Sequence, residues 1–301
     1  MTYEDLLHEL VQKDDRYLVV TAENRAAIRG LPDKIGERFI DTGITEQTMI
    51  GMSAGLALRG RIPITHALAT FITMRAFEFI RSDVGIGNLP VKMVGAVPGF
   101  LSDGNGPTHQ AVEDVSIMRG IPNVNVFCPA DEEDMLLGLP KVFASDSPFY
   151  IRYNNLKPEV EHKKDFEIGK AEVISEGKDV TILVYGFLLR EALKAKKILE
   201  EKGRSIGIIN LRTVKPIDEE AILNAVKNSN MLVTLEDHFI TGGLYSIVGE
   251  LFLKEKVSAD VLPIALKDKW FKPALLNDVL EHEGFTGEKI AKRIENNIQN
   301  K

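Results

Sequence analysis

Short apolar runs alternating with helix-length segments set the rhythm of the first half of the chain. Residues 17–21, 38–40, 62–68, 91–96, 124–128 and 149–153 are compact and rich in Val, Ile and Phe, and each reads as a buried strand. Between them lie helical segments such as 71–82 and 131–144, the second introduced by Pro129-Ala130-Asp131 as a strand stop and helix start. Strands alternating with helices predict a parallel, doubly wound sheet covered on both faces. Ligands of such sheets sit at the carboxyl ends of the strands, where loops meet helix starts. The segment Ile50-Gly51-Met52-Ser53-Ala54-Gly55-Leu56-Ala57-Leu58 is apolar nearly all round, which places it in a core or an interface.

The rhythm breaks at 157–170, a charged stretch interrupted by Pro158 and without periodicity. It reads as a linker, with His162 as a solvated residue inside it. Beyond it the pattern restarts on a smaller scale. Strands are expected at 180–186, 205–211 and 231–236, with an edge strand at 261–266 that tolerates Pro263. Helices are expected at 189–202 and 288–298. The expected organisation is therefore α/β with two doubly wound domains, 1–156 and a smaller 171–301, joined by the linker.

Composition narrows the class. A chain of 301 residues with 44% hydrophobic and 27% charged content is an ordinary globular protein. Its net charge of -7 argues against nucleic-acid or anionic-membrane partners. One cysteine, Cys128, excludes an internal disulfide and a multi-cysteine metal site. The acidic start does not resemble a signal peptide, and no apolar run is long enough to span a bilayer, so the expected compartment is the cytoplasm.

Several routes to function fall away. There is no P-loop, and no Gly-x-Gly-x-x-Gly follows the first strand. Gly51-Met52-Ser53-Ala54-Gly55 has the letters of a nucleophile elbow but lies inside the apolar helix, where a serine is not exposed. Three other stretches hold the candidate chemistry. Glu46, in Gly43-Ile44-Thr45-Glu46-Gln47, stands at the mouth of the apolar helix. It can serve as a first-turn carboxylate complementing the dipole, or as a buried acid that needs a partner. Thr70-Phe71-Ile72-Thr73-Met74-Arg75-Ala76-Phe77 offers an apolar stripe that suits either a core or a ring platform. The glycine-rich loop ending in Gly106-Pro107-Thr108-His109-Gln110 places a histidine at a helix start, beyond a parallel strand.

Taken in order with Ile121-Pro122-Asn123 and Cys128-Pro129-Ala130-Asp131, these motifs resemble those of the transketolases. The likeness extends to deoxyxylulose-phosphate synthase and to the beta subunits of 2-oxo-acid dehydrogenases. In the second half, Leu211-Arg212-Thr213-Val214-Lys215-Pro216-Ile217-Asp218 and Glu236-Asp237-His238 with Gly242-Gly243 resemble the family's C-terminal domain. The resemblance implies a thiamine-diphosphate pyrimidine-binding domain followed by that C-terminal domain. By resemblance, Glu46 hydrogen-bonds the pyrimidine ring, Phe71 stacks on it, and Ile44, Met74 and Phe77 pack around it. His109, Asn105, Gln110 and Arg152 are the implied substrate contacts, with Glu46 and His109 the catalytic pair.

The Gly-Asp-Gly…Asn signature that binds metal and diphosphate in the family is not present in this sequence. The resemblance therefore implies the C-terminal subunit of a split transketolase. A separate N-terminal subunit would bind the diphosphate and most of the Mg²⁺ (or Ca²⁺), with no metal ligands here. The implied assembly pairs two copies of this chain in a heterotetramer that acts on small sugars. Val97 and Asn105 stand where sugar-using transketolases carry His and Asp, which leaves the substrate open. A 2-oxo-acid dehydrogenase-like beta subunit, a deoxyxylulose-phosphate-synthase-like enzyme or a non-catalytic structural partner are the alternatives.

Overall fold

The structure, a computed structural model, describes residues 1–299; residues 300 and 301, the end of the expected second domain, lie outside the described residues. The first half supplies β1 (Tyr17–Thr21), β2 (Phe39–Asp41), β3 (Ile62–Leu68), β4 (Lys92–Ala96), β5 (Asn125–Phe127) and β6 (Phe149–Arg152). The second supplies β7 (Glu172–Ser175), β8 (Val180–Val184), β9 (Ile206–Asn210), β10 (Thr213–Lys215), β11 (Met231–Phe239) and β12 (Val261–Leu266). Two sheets form, in the orders β10-β5-β6-β4-β3-β1-β2 and β12-β11-β8-β9-β7. Every pairing is parallel except the two edges β10 and β7. The expected α/β fold with two mostly parallel sheets is therefore observed.

One strand crosses between the halves. β10 comes from the second half yet pairs with β5 on the edge of the first sheet. The Cys128 amide also donates to the Arg212 carbonyl at 2.8 Å. A three-residue strand has no readable periodicity, so the pattern of the chain could not announce this exchange.

The helix Glu46–Leu58 packs on the first sheet through Met49, Ile50, Ser53, Ala54 and Ala57. Its other face is open: Leu58 is 73% exposed, and a Cβ on Gly55 would meet nothing within 4 Å. The segment expected as one helix over 71–82 is instead wound as a π-helix, Phe71–Arg75, a short α-helical turn, Phe77–Phe79, and a second π-helix, Ile80–Gly85. The Thr73 hydroxyl donates back to the Ala69 carbonyl at 2.7 Å, the kind of local bond that distorts regular winding. No helix among the described residues is long and apolar enough to cross a membrane.

The stretch 157–170 is not a solvated tether. His162 is only 2% exposed, which corrects the expectation made for it. Its Nε2 lies 2.7 Å from Asp131 and its Nδ1 2.7 Å from Glu172. Arg212 completes the cluster, 2.7 Å from Asp134 and 3.0 Å from Glu172. Phe166 packs edge-on against Phe127 at 5.3 Å. The clasp thus ties the linker to a helix start of the first half and, in the second, to β7 and the connection between β9 and β10. A charged run looks solvated because its partners are remote in sequence.

The clasp has a pH signature. Burial opposes charge on His162, but the Asp131 and Glu172 carboxylates outweigh it and hold the pKa at about 10. The folded value exceeds the ordinary 6.5, so the stabilisation is complete below pH 6.5 and fades as pH rises towards 10. His162→Gln should lower stability at pH 6 by ~3 kcal/mol, as expected for breaking a buried ion pair. The difference from the unsubstituted protein should shrink by pH 10 in urea titrations. A difference independent of pH would mean that His162 is held neutral.

Candidate active site

Three loops at the carboxyl ends of β1, β2 and β3 form a cleft of about 420 Å³. β2 ends at Asp41, whose Oδ1 accepts from the Gly43 amide at 2.9 Å and the Glu23 amide at 3.2 Å. Gly43 has φ +71°, a conformation that glycine adopts without penalty. This turn sets down Glu46 as the first residue of its helix, where the unsatisfied amides favour a carboxylate. Glu46 is 2% exposed and accepts from Arg75 Nη1 at 2.8 Å. Ile44, Leu68 and Phe71 form the apolar part of the cleft, with Arg25 and Arg29 on its polar side. Arg25 is ion-paired with Asp41.

The glycine-rich loop after β4 brings the third component. The Gly99 amide donates to the Ala111 carbonyl at 2.9 Å, closing the loop at its base. Gly99 has φ +56°, and a Cβ there would run into the Asp237 carboxylate. At the far end, the His109 amide donates to the Gly106 carbonyl at 2.9 Å. The His109 ring lies 5.1 Å from Phe71, edge-on, and its Nδ1 is 2.9 Å from Thr108 Oγ1. Two residues at these strand ends hold left-handed backbone without being glycine: Glu23 with φ 60° and Val97 with φ 48°. For a β-branched valine this is a strained conformation, and such strain gathers at ligand-handling loops.

The structure thus brings together Glu46, Phe71 and His109, with Ile44 lining the same cleft. Met74 lies with its sulfur 3.5 Å from Thr70 Oγ1, and Phe77 packs against the main core; neither lines the cleft. The π-helical winding defeats a face assigned at α-helical spacing. Asn105 is exposed on the loop, while Gln110 is fully buried and its Oε1 has no hydrogen-bond partner among the described residues.

Arg152 is placed elsewhere, and the expectation that it meets substrate is corrected. It is 2% exposed, with Nε 2.8 Å from Asp114 and Nη1 2.6 Å from Asp237. Its fork is engaged by two carboxylates, one from each half of the chain. Around it, burial pushes Asp237 up to about 6 against the pull of Arg152. Burial pushes Glu236 up to about 8, although it accepts from the Leu244 and Tyr245 amides at a helix start. The residue that sequence reasoning missed is Arg75. The π-helical winding of Phe71–Arg75 leaves no α-helical spacing by which to find it.

The chain matches the transketolase pyrimidine binding domain over residues 1–158 and the transketolase C-terminal domain over 169–290. It is 38% identical over 296 residues to a 6-deoxy-6-sulfo-D-fructose transketolase subunit of Clostridium sp. (strain MSTE9), covering 97% of this chain and 91% of the relative. It is 36% identical to a putative transketolase C-terminal section of Methanocaldococcus jannaschii, covering 97% and 93%. It is 35% identical to the 1-deoxy-D-xylulose-5-phosphate synthase of Dictyoglomus thermophilum, covering 97% of this chain but 49% of the synthase. A solved split-gene transketolase, described as an inactive β4 tetramer, superposes with a TM-score of 0.88 at 33% identity, covering 98% and 96% of the two chains. A transketolase variant from Pichia stipitis shares the fold, with a TM-score of 0.78 at 18% identity over 97% of this chain and 44% of the yeast one.

Arg152→Met should destabilise the chain by ~3 kcal/mol or more, because two buried aspartates lose their counter-charge. Urea unfolding measures it. A variant as stable as the parent would return Arg152 to the ligand role.

Proposed function

The chain belongs to the transketolase family, and we propose that it is the subunit of a split transketolase that carries the pyrimidine-binding and C-terminal domains. It moves a two-carbon ketol unit from a ketose to an aldose, with a separate N-terminal subunit completing the site. The observation that carries this reading is a buried carboxylate, Glu46, and the Phe71 ring lining one cleft, with His109 edge-on against that ring. Two relatives of similar length support the subunit architecture, whereas the chain spans about half the length of the synthases it matches.

The cleft fits the family cofactor. An aromatic face, an apolar wall at Ile44 and Leu68, and one carboxylate suit a flat heteroaromatic ring that carries a hydrogen-bonding nitrogen. When bound, thiamine diphosphate supplies the carbanion chemistry of ketol transfer. Glu46 would hold a hydrogen bond to the ring in a setting dry enough for that bond to be strong. Phe71 and Ile44 would hold the ring between them. Thr108 engages His109 Nδ1, so Nε2 is the nitrogen that meets a substrate hydroxyl.

The diphosphate and its Mg²⁺ (or Ca²⁺) are assigned to the partner. Among the described residues the one cluster with metal-ligand spacing is Asp134, His162 and Glu172, whose atoms already serve the ionic clasp. Arg29 at the cleft favours a sugar with an anionic end, Arg25 being already paired with Asp41. The clostridial relative is described as acting on a sulfonated sugar. The open face of the helix Glu46–Leu58, with Gly55 and Leu58, is proposed to pack against another chain in a heterotetramer.

Glu46→Gln should leave folding intact and lower turnover of the co-expressed pair by more than ~100-fold, the scale of lost acid–base function. Activity near that of the parent would reduce Glu46 to a dipole-complementing residue. Calorimetry on the lone chain should show no tight, magnesium-dependent binding of thiamine diphosphate; tight binding without a partner would refute the split site. Gly55→Glu should dissociate the assembly in light scattering, and an unchanged assembly would remove this helix from the interface.

A further inference from the structure

Arg75 engages two groups that line the cleft. Its Nη1 is 2.8 Å from Glu46 Oε2, and its guanidinium carbon lies 4.1 Å from the centroid of the Phe71 ring. One planar cation therefore engages both groups that an aminopyrimidine would use. The two are chemically alike: each is flat, edged with nitrogen donors, and able to stack on an aromatic face while donating to a carboxylate. The π-helix Phe71–Arg75 carries the aromatic at its first residue and the arginine at its last. Such winding recurs at functional sites.

Exposure shows which partner can move. The Glu46 side chain is 2% exposed and the Arg75 side chain 38%. Glu46 is fixed as the first residue of its helix, whereas the Arg75 side chain stands partly in water. The guanidinium can rotate into water without displacing backbone, and Glu46 has no such exit.

We propose that Arg75 is a stand-in for the cofactor's pyrimidine ring, a gate that pairs with Glu46 and covers Phe71 until the ring displaces it. This rests on the reading of the cleft as a pyrimidine site. Arg75 is a positioning residue acting through Glu46 and Phe71. Removing it has two consequences of opposite sign. The carboxylate loses its counter-charge, which lowers stability, and the ring site opens, which raises affinity for the ring. A residue with a structural role alone would lower both.

The test uses thiamine, which carries the ring without the diphosphate and so needs neither metal nor partner. It is titrated into the full chain and into Arg75→Ala and Arg75→Lys variants by calorimetry. Arg75→Ala should bind thiamine roughly tenfold tighter or better, the factor expected when the parent's open state is populated at a tenth or less. Its urea midpoint should fall. Arg75→Lys, which keeps the charge but not the plane, should hold the midpoint and gain part of the affinity. In the parent protein, the Arg75 side-chain NMR signal should be shielded by the Phe71 ring and lose that shielding as thiamine saturates the site. Equal thiamine affinity in the parent and Arg75→Ala, abolished in both by Glu46→Ala, would overturn the gate and keep the pyrimidine site. An Arg75 signal unmoved at saturation would overturn it in the same way. Binding to neither protein, even with the N-terminal subunit present, would overturn the site reading and the gate with it.

Discussion

The buried guanidinium of Arg152 is the constraint on which the rest depends. It sits between Asp114 and Asp237, one carboxylate from each half of the chain. A charge taken out of water is tolerable only with close, well-directed partners. Tyr150 adds a hydroxyl to Asp114 at 2.6 Å, and Asp237 presses against Gly99, where no side chain fits. The polar core that joins the two halves therefore also fixes the base of the glycine-rich loop, and through it the position of His109 beside Phe71.

This arrangement gives the second half a part in the site without a place in the cleft. The cleft is lined from the ends of β1, β2 and β3 and from the segments that follow them. The second half contributes β10 to the edge of the first sheet, Asp237 to the arginine network and Glu172 to the clasp around His162. These contacts hold the halves at one relative position, and a loop pinned between them is stiffer than one standing on a single sheet.

The cleft itself reads as half of a site. Its carboxylate is buried while its cationic partner is half in water, an asymmetry suited to exchange of one planar group for another. The open face of the helix Glu46–Leu58 points to the same incompleteness, since an apolar helix covered on one side leaves surface for a neighbour.

Alternation of apolar runs with helix-length segments was enough to determine two mostly parallel sheets, and β1, β3, β8 and β12 fall inside the runs that announced them. The chemistry at Glu46, Phe71 and His109 was legible because each stands at a strand end, where parallel sheets expose their loops. Tertiary structure alone decided the rest. β10 is too short to show a period, and the partners of His162 and Arg152 lie between 10 and 85 residues away along the chain. The π-helical winding after Phe71 follows no α-helical or strand periodicity, so spacing along the chain does not tell which of Met74, Arg75 and Phe77 meets Glu46. A sequence records the local preference of each segment. Whether a charged residue meets water or a buried counter-charge depends on which distant segments the fold brings against it, and in this protein that choice separates the partly exposed Arg75 from the buried Arg152.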